Sequence, residues 1–187
     1  MSKQGPEILT LEELRQIMPR LPEAKAREYL PLLVEAMVEA EITTPARMAA
    51  FLAQLGHESL DLRYMEELAD GSAYEGRRDL GNTQPGDGKR YKGRGPIQLT
   101  GRANYRAAGK ALGLPLEEQP ELAAMPEHGF RIAAWYWTMR KLNPLADQGN
   151  FLAITVAING GLNGYADRMK RWETAKRVLG QRELPLA

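Results

Sequence analysis

Apolar positions recur at helical spacing over most of this chain, and the pattern stops where proline, glycine or a capping side chain stands. Thr10 followed by Glu13 has the form of a capping box and predicts a short helix to about Met18, ahead of Pro19. Between Glu23 and Ala40, Leu30, Leu33, Val34, Met37 and Val38 make an apolar face, but Pro31 interrupts it, so two abutting helices are expected. Thr44 and Pro45 open a third helix that runs to about Ser59. A hydroxyl can cap its first turn, and proline at the first helical position gives up no needed N–H.

From Ala69 to Gly101 the periodicity lapses into Gly, Asp, Asn, Pro and charged residues. This predicts a long surface loop without a helix of its own, ending in a small hairpin whose arms are RYKGRG and PIQLTG. Helical spacing returns over 104–112, over 127–142 with Trp135, Tyr136 and Trp137, and over 150–158. The last of these, FLAITVAI, is apolar on every side and is expected at the centre of the molecule. A final amphipathic helix over 165–179 offers Met169, Trp172 and Val178 to the core, with Arg168, Lys170, Arg171, Lys176 and Arg177 around them. No repeat or linker breaks this order, so one mostly α-helical domain over 1–187 is expected.

Composition narrows the function classes. With 187 residues, 43% of them hydrophobic, the chain can bury a core. Its 25 Lys and Arg against 24 Asp and Glu leave a formal charge of +1, without the basic excess of a dedicated nucleic-acid binder. The absence of cysteine excludes disulfides and thiolate metal sites, and two histidines, His57 and His128, make a poor metal centre. No cofactor or metal is therefore expected. The opening stretch MSKQGPEILTLEELRQ has no apolar leader core, and no uncharged apolar run is long enough for membrane insertion. A cytoplasmic, monomeric product is expected.

Candidate chemistry begins in the helix 45–59, where Met48, Phe51, Leu52 and Leu55 share a stripe and Glu58 falls at its edge. Partial burial disfavours the charged form of a carboxyl, which suits a proton donor; a solvated last-turn glutamate is the plain alternative. His57 projects from the opposite side. Glu66 and Glu67 follow on the next segment, and paired carboxylates are the usual equipment for cutting a glycosidic bond, although adjacent glutamates are also ordinary surface residues. The stretch from Lys89 to Thr100 combines cations, a tyrosine ring and glycines, as a wall against a polymer would. Its spacing is not that of a phosphate-binding loop, and an RNA-binding GRG loop has no support elsewhere in the chain. Asn159-Gly160-Gly161 serves either as a helix C-cap or as a substrate contact.

Three segments taken together, FLAQLGHES at 51–59, GRGPIQLTGRANY at 93–105 and AINGGLNG at 157–164, resemble in order the signatures of glycoside hydrolase family 19. The likeness covers roughly residues 45–175, with the helical segment 1–42 matching less distinctly, and is strongest to short, cysteine-free phage and bacterial lysozyme-like members. It implies a bilobed, lysozyme-like fold of mostly α, α+β character with a cleft between the lobes. It further implies inverting hydrolysis of β-1,4 links between N-acetylated sugars. Carried over, Glu58 matches the general acid and Glu67 the base that activates water, with Glu66 as the alternative. Thr100, where other members carry serine, would help hold that water. Tyr91, Arg94, Gln98, Asn104, Asn159 and Arg168 match positions that contact sugar or, for Arg168, orient a carboxylate.

Lacking the disulfides and several sugar-binding loops of plant chitinases, the chain is expected to act on peptidoglycan glycan strands, with chitin or non-catalytic glycan binding as alternatives. An endolysin of this kind would accumulate in the host cytoplasm and reach the wall once another protein opens the membrane.

Overall fold

The computed structural model describes residues 7–181. The first six residues of the stretch read for a leader core lie outside that range. Helix α1, Leu11–Ile17, carries the expected capping box: Glu13 N–H donates to Thr10 Oγ1 at 3.1 Å and Thr10 N–H to Glu13 Oε1 at 2.9 Å. Helix α2 corrects the expected break, since Glu23–Glu39 is one continuous helix with Pro31 inside it. Pro31 and Arg27 both lie on the exposed side, where water can reach the carbonyl that proline leaves without a donor. On the opposite side Ala26, Tyr29, Leu33, Ala36 and Met37 are buried, and their packing outweighs the lost backbone bond.

Helix α3, Pro45–Ser59, is capped by Thr44 and is the central element: every residue from Met48 to Gly56 is buried. Helix α9 runs closely along it because Gly56 has no side chain. A Cβ there would stand 2.9 Å from Arg171 Nη1. Beyond α3 the chain turns through three consecutive left-handed residues, Leu60, Asp61 and Leu62, at φ of 49°, 61° and 60°. L-residues resist this conformation, and local bonding compensates here. Ser59 Oγ donates to Leu55 O at 2.6 Å and accepts from Leu62 N–H at 2.8 Å, while buried Asp61 accepts from Arg20 N–H at 3.0 Å and pairs with Arg171.

The long loop that follows holds 3₁₀ turns at Ser72–Tyr74 and Arg78–Leu80 and a four-residue helix α4, Asp87–Arg90. The expected hairpin is reduced to one rung. Arg94 and Leu99 exchange backbone bonds of 3.1 and 2.9 Å around a Gly95–Gln98 reversal, and a second bridge joins Arg94 to Glu66. At the open end the pairing slips by one residue, Gly101 N–H reaching Tyr91 O at 2.8 Å, so the β component stops at these bridges among the described residues.

Helix α5, Arg102–Leu112, precedes a 3₁₀ turn at Pro120–Ala124 and helix α6, Pro126–Met139. Where one helix to Leu142 was expected, left-handed Lys141 separates α6 from α7, Leu142–Asp147. Helix α8, Phe151–Asn159, is not central: only one side is covered, and Leu152 and Val156 are 49% and 42% exposed. An all-apolar helix gives no periodic signal of which face is buried, and at nine residues α8 is too short to traverse the core. Helix α9, Tyr165–Gly180, packs Met169, Trp172 and Val178 inward as expected, with Trp172 stacked on Phe151 at 4.6 Å. Arg168, placed by its sequence among the outer cations, is 2% exposed.

Two buried clusters result, in keeping with two lobes. The larger gathers α1–α3 with α6–α9; the smaller centres on Tyr91, Leu99, Tyr105, Ala108, Leu116, Ala123 and Ile132. The segment 91–99 lies between them, with Ile97 in the first and Tyr91 and Leu99 in the second.

Candidate active site

Glu58 stands in the last turn of α3 with 19% of its side chain exposed. Its surroundings are more specific than the apolar edge expected from the sequence. Arg168 Nη2 donates to Glu58 Oε1 at 2.7 Å, and the same guanidinium donates to Gln54 Oε1 at 2.5 Å and, through Nε, to Asn163 O at 3.1 Å. Arg168 therefore orients a carboxylate, but its burial excludes the open sugar contact among which it was grouped. His57 turns away from Glu58 to Asp167, at 2.7 Å.

The two candidates for the second carboxylate are separated by their contacts. Glu66 is 48% exposed and occupied by cations, with Lys92 Nζ at 2.9 Å and Arg94 Nε at 3.6 Å. The hydrogen bond from Lys92 holds its carboxyl below the usual carboxylate range. Glu67 is tethered by its backbone N–H to Gly93 O at 2.9 Å and accepts from Tyr74 OH at Oε2, 3.0 Å. Its Oε1 is buried and makes no hydrogen bond. Burial first, then the bond to Glu67, raises the Tyr74 phenol above its ordinary range, which keeps it a donor.

Gly93 shows where the expected site residues converge. A Cβ on it would lie 2.8 Å from Gln98 Oε1, 3.0 Å from Glu67 Oε2 and 3.4 Å from Thr100 Oγ1. The missing side chain thus lets an amide, a carboxylate and a hydroxyl oxygen close in together on the Gly93 backbone. Gln98 reaches it from a left-handed backbone, φ 58°, and its Nε2 donates to Gly95 O at 2.9 Å, which turns Oε1 toward Gly93. Thr100 Oγ1 donates to Gln98 O at 2.9 Å, and Asn104 Nδ2 braces Thr100 O at 2.8 Å. All of these atoms can exchange hydrogen bonds with water or a sugar hydroxyl.

Asn159 ends α8, and Gly160 behind it adopts the left-handed C-cap, φ 78°, with N–H to Val156 O at 2.8 Å. The cap reading is thereby met, while Asn159 Nδ2 is buried without a hydrogen-bond partner. Two expected sugar contacts are corrected. Tyr91 is fully buried in the smaller cluster and donates to Glu117 O at 2.6 Å. Arg94, 8% exposed, spends Nη1 on Arg90 O at 2.7 Å and Tyr105 OH at 3.2 Å, so it holds the loop together from within. Tyr74 carries little signal in the sequence beyond being an aromatic in a polar, glycine-containing stretch, GSAYEG.

A cavity of about 710 Å³ lies elsewhere, lined by Asp87, Lys89, Arg90, Arg102 and Glu117. Neither carboxylate candidate borders it, and its charges are largely paired, Arg102 with Asp87 at 2.8 Å and with Glu117 at 3.0 Å. Among the described residues no cluster of His, Asp and Glu could hold a metal ion, and no helix is long and apolar enough to cross a membrane.

The mostly helical architecture, with one acidic residue ending the central helix and a second on the loop that follows, places the molecule in the lysozyme-like class. The family model for class I chitinases, glycoside hydrolase family 19, matches residues 36–151, and the chain belongs to that family. It is 46% identical to endochitinase At2g43620 of Arabidopsis thaliana over 115 residues, 61% of this chain and 39% of that protein. A family 19 domain-containing protein of Haemophilus influenzae is 32% identical over 169 residues, 73% of this chain and 82% of its own length. Chitinase C of Streptomyces griseus superposes with a TM-score of 0.77 at 26% identity, over 94% of this chain and 78% of that one. The class IV chitinase of Zea mays gives 0.73 at 26%, over 96% of both chains. The chain spans 39% of the length of the Arabidopsis endochitinase At2g43620 and of a second, At2g43610.

Proposed function

We propose that this protein hydrolyses β-1,4 links between N-acetylated sugars in peptidoglycan, with Glu58 as general acid and Glu67 as general base. The observation that carries the reading is the convergence at Gly93 of the Glu67 carboxylate with the oxygens of Gln98 and Thr100. A water held by these oxygens would lose its proton to Glu67 as it attacks the anomeric carbon, while Glu58 protonates the bridging oxygen on the other face of the sugar. Glu66, already engaged by Lys92, is the weaker base candidate. Inversion requires the two carboxyl groups to stand roughly 6.5–9.5 Å apart in the substrate complex, leaving room for the water.

Peptidoglycan is favoured by the bacterial relative in Haemophilus influenzae, matched over 73% of this cysteine-free chain. Chitin is the second reading, favoured by the endochitinase names of the plant relatives. As an endolysin, the protein would act as a monomer at the wall after a separate protein permeabilises the membrane.

The test is digestion of purified peptidoglycan by wild type and Glu58→Gln, with fragments identified by mass spectrometry. New muramic-acid reducing ends from wild type alone support the assignment. Cleavage confined to N-acetylglucosamine oligomers moves the substrate to chitin, and wild-type turnover by Glu58→Gln removes Glu58 as the acid.

A further inference from the structure

Gln54 and Thr155 are fully buried polar residues in otherwise apolar helix segments, AFLAQLG and FLAITVAI. A buried amide is costly unless both its ends are bonded, and here both are. Gln54 Nε2 donates to Thr155 Oγ1 at 3.0 Å, and Gln54 Oε1 accepts from Arg168 Nη1 at 2.5 Å. Thr155 Oγ1 in turn donates to Phe151 O at 3.0 Å, one helical turn back.

These bonds have only one self-consistent direction. The Thr155 proton is committed to a backbone carbonyl, so its lone pair faces Gln54 and requires the NH₂ end of the amide. That leaves Oε1 toward Arg168. The flipped amide would set two acceptors against each other at Thr155 and two donors against each other at Arg168. Arg168 is then held on three sides, by Gln54, by Asn163 O and by Glu58.

We infer that Gln54 and Thr155 are positioning residues that lock the Arg168 guanidinium, and through it the Glu58 carboxyl, in the geometry needed for proton transfer. The inference rests on the reading of Glu58 as the acid. It links the exposed helix α8, which supplies Thr155, to the end of α3 by a chain of four hydrogen bonds running from Phe151 O to Glu58 Oε1. Misplacement of a catalytic group by a fraction of its bond length lowers turnover more than it lowers binding.

Thr155→Val and Gln54→Met keep volume while deleting the hydrogen bonds, and Thr155→Ser restores the hydroxyl. The experiment measures kcat and KM for these variants and for Glu58→Gln on solubilised peptidoglycan, or on N-acetylglucosamine hexamer if wild type cuts that alone. Assays run well below each variant's Tm. The expected result is a kcat loss on the order of 10-fold or more for Thr155→Val and Gln54→Met, KM within about 2-fold, and recovery in Thr155→Ser. A purely structural role would lower Tm and leave kcat per folded molecule unchanged. Wild-type kcat in Thr155→Val, or a Thr155→Ser variant as slow as Thr155→Val, overturns the inference even when Glu58→Gln is inactive. An active Glu58→Gln overturns the acid assignment first, and the positioning role with it.

Discussion

Arg168 and Glu58 meet at 2.7 Å, a guanidinium 2% exposed against a carboxyl 19% exposed, from residues 110 positions apart. A lysine at 168 could not reproduce the fork, because one ammonium cannot serve Glu58, Gln54 and Asn163 O in the plane that the guanidinium occupies. Arg168→Lys is expected to lose about 10²-fold in kcat and to unfold at lower temperature. Steady-state kinetics with a thermal melt check this, and near-normal turnover would show that charge alone suffices.

Gly93→Ala tests the convergence of oxygens around this glycine. Gly93 is not among the residues with positive φ, so the backbone tolerates alanine, but the new methyl meets Gln98, Glu67 and Thr100 at 2.8, 3.0 and 3.4 Å. Activity is expected to fall by about 10- to 100-fold with stability changed by no more than about 1 kcal/mol. An active Gly93→Ala enzyme would mean that the reacting water binds elsewhere.

Tyr74→Phe removes the hydroxyl that donates to Glu67 Oε2. The ring stays in place, so the expected cost is about 1 kcal/mol of stability and a fall in kcat on the order of 10-fold. Comparable kcat in the two proteins would show that Glu67 is held well enough by its backbone bond to Gly93.

The left-handed turn after α3 separates strain from its compensation. Leu60 is 42% exposed at φ 49°, so Leu60→Gly should stabilise by about 1 kcal/mol, since glycine bears no penalty there. Asp61→Ala should destabilise by 2 kcal/mol or about that, because it frees Arg20 N–H and leaves half-buried Arg171 one partner short. Urea denaturation measures both; opposite signs are the expected outcome, and a destabilised Leu60→Gly would contradict the strain argument.

Acid sensitivity is expected at the smaller cluster. The Arg106 guanidinium, joined by Arg102, pulls the Glu117 carboxyl from its ordinary 4.5 to about 2. A carboxyl depressed on folding stabilises fully above its unfolded value, and the contribution fades as pH falls from 4.5 toward 2. Glu117→Gln should therefore be less stable than wild type at pH 6 and converge with it only as pH approaches about 2. A gap that persists unchanged at low pH would assign the loss to packing.

Local signals were legible in the order of residues because they depend on near neighbours. The capping box at Thr10, the Thr44 cap with Pro45, the Gly160 C-cap and the α3 stripe involve contacts within a helical turn or two, and each is where its spacing put it. The three family segments likewise marked the fold and the residues around Gly93. Long-range packing decided the rest. Pro31 stays inside α2 because the buried face of that helix outweighs one missing bond, and α8 lies at the surface because α3 already fills the centre. Tyr91 and Arg94 have the makeup of a binding wall, yet the ring is buried in the smaller cluster and the guanidinium bonds Tyr105 at its edge. The contacts that distinguish Glu66 from Glu67 come from Lys92, Tyr74 and Gly93, and the setting of Glu58 from an arginine more than a hundred residues away. Such partners are brought together only when the helices dock, because the free energy that pairs them comes from the burial of the whole core rather than from any one segment.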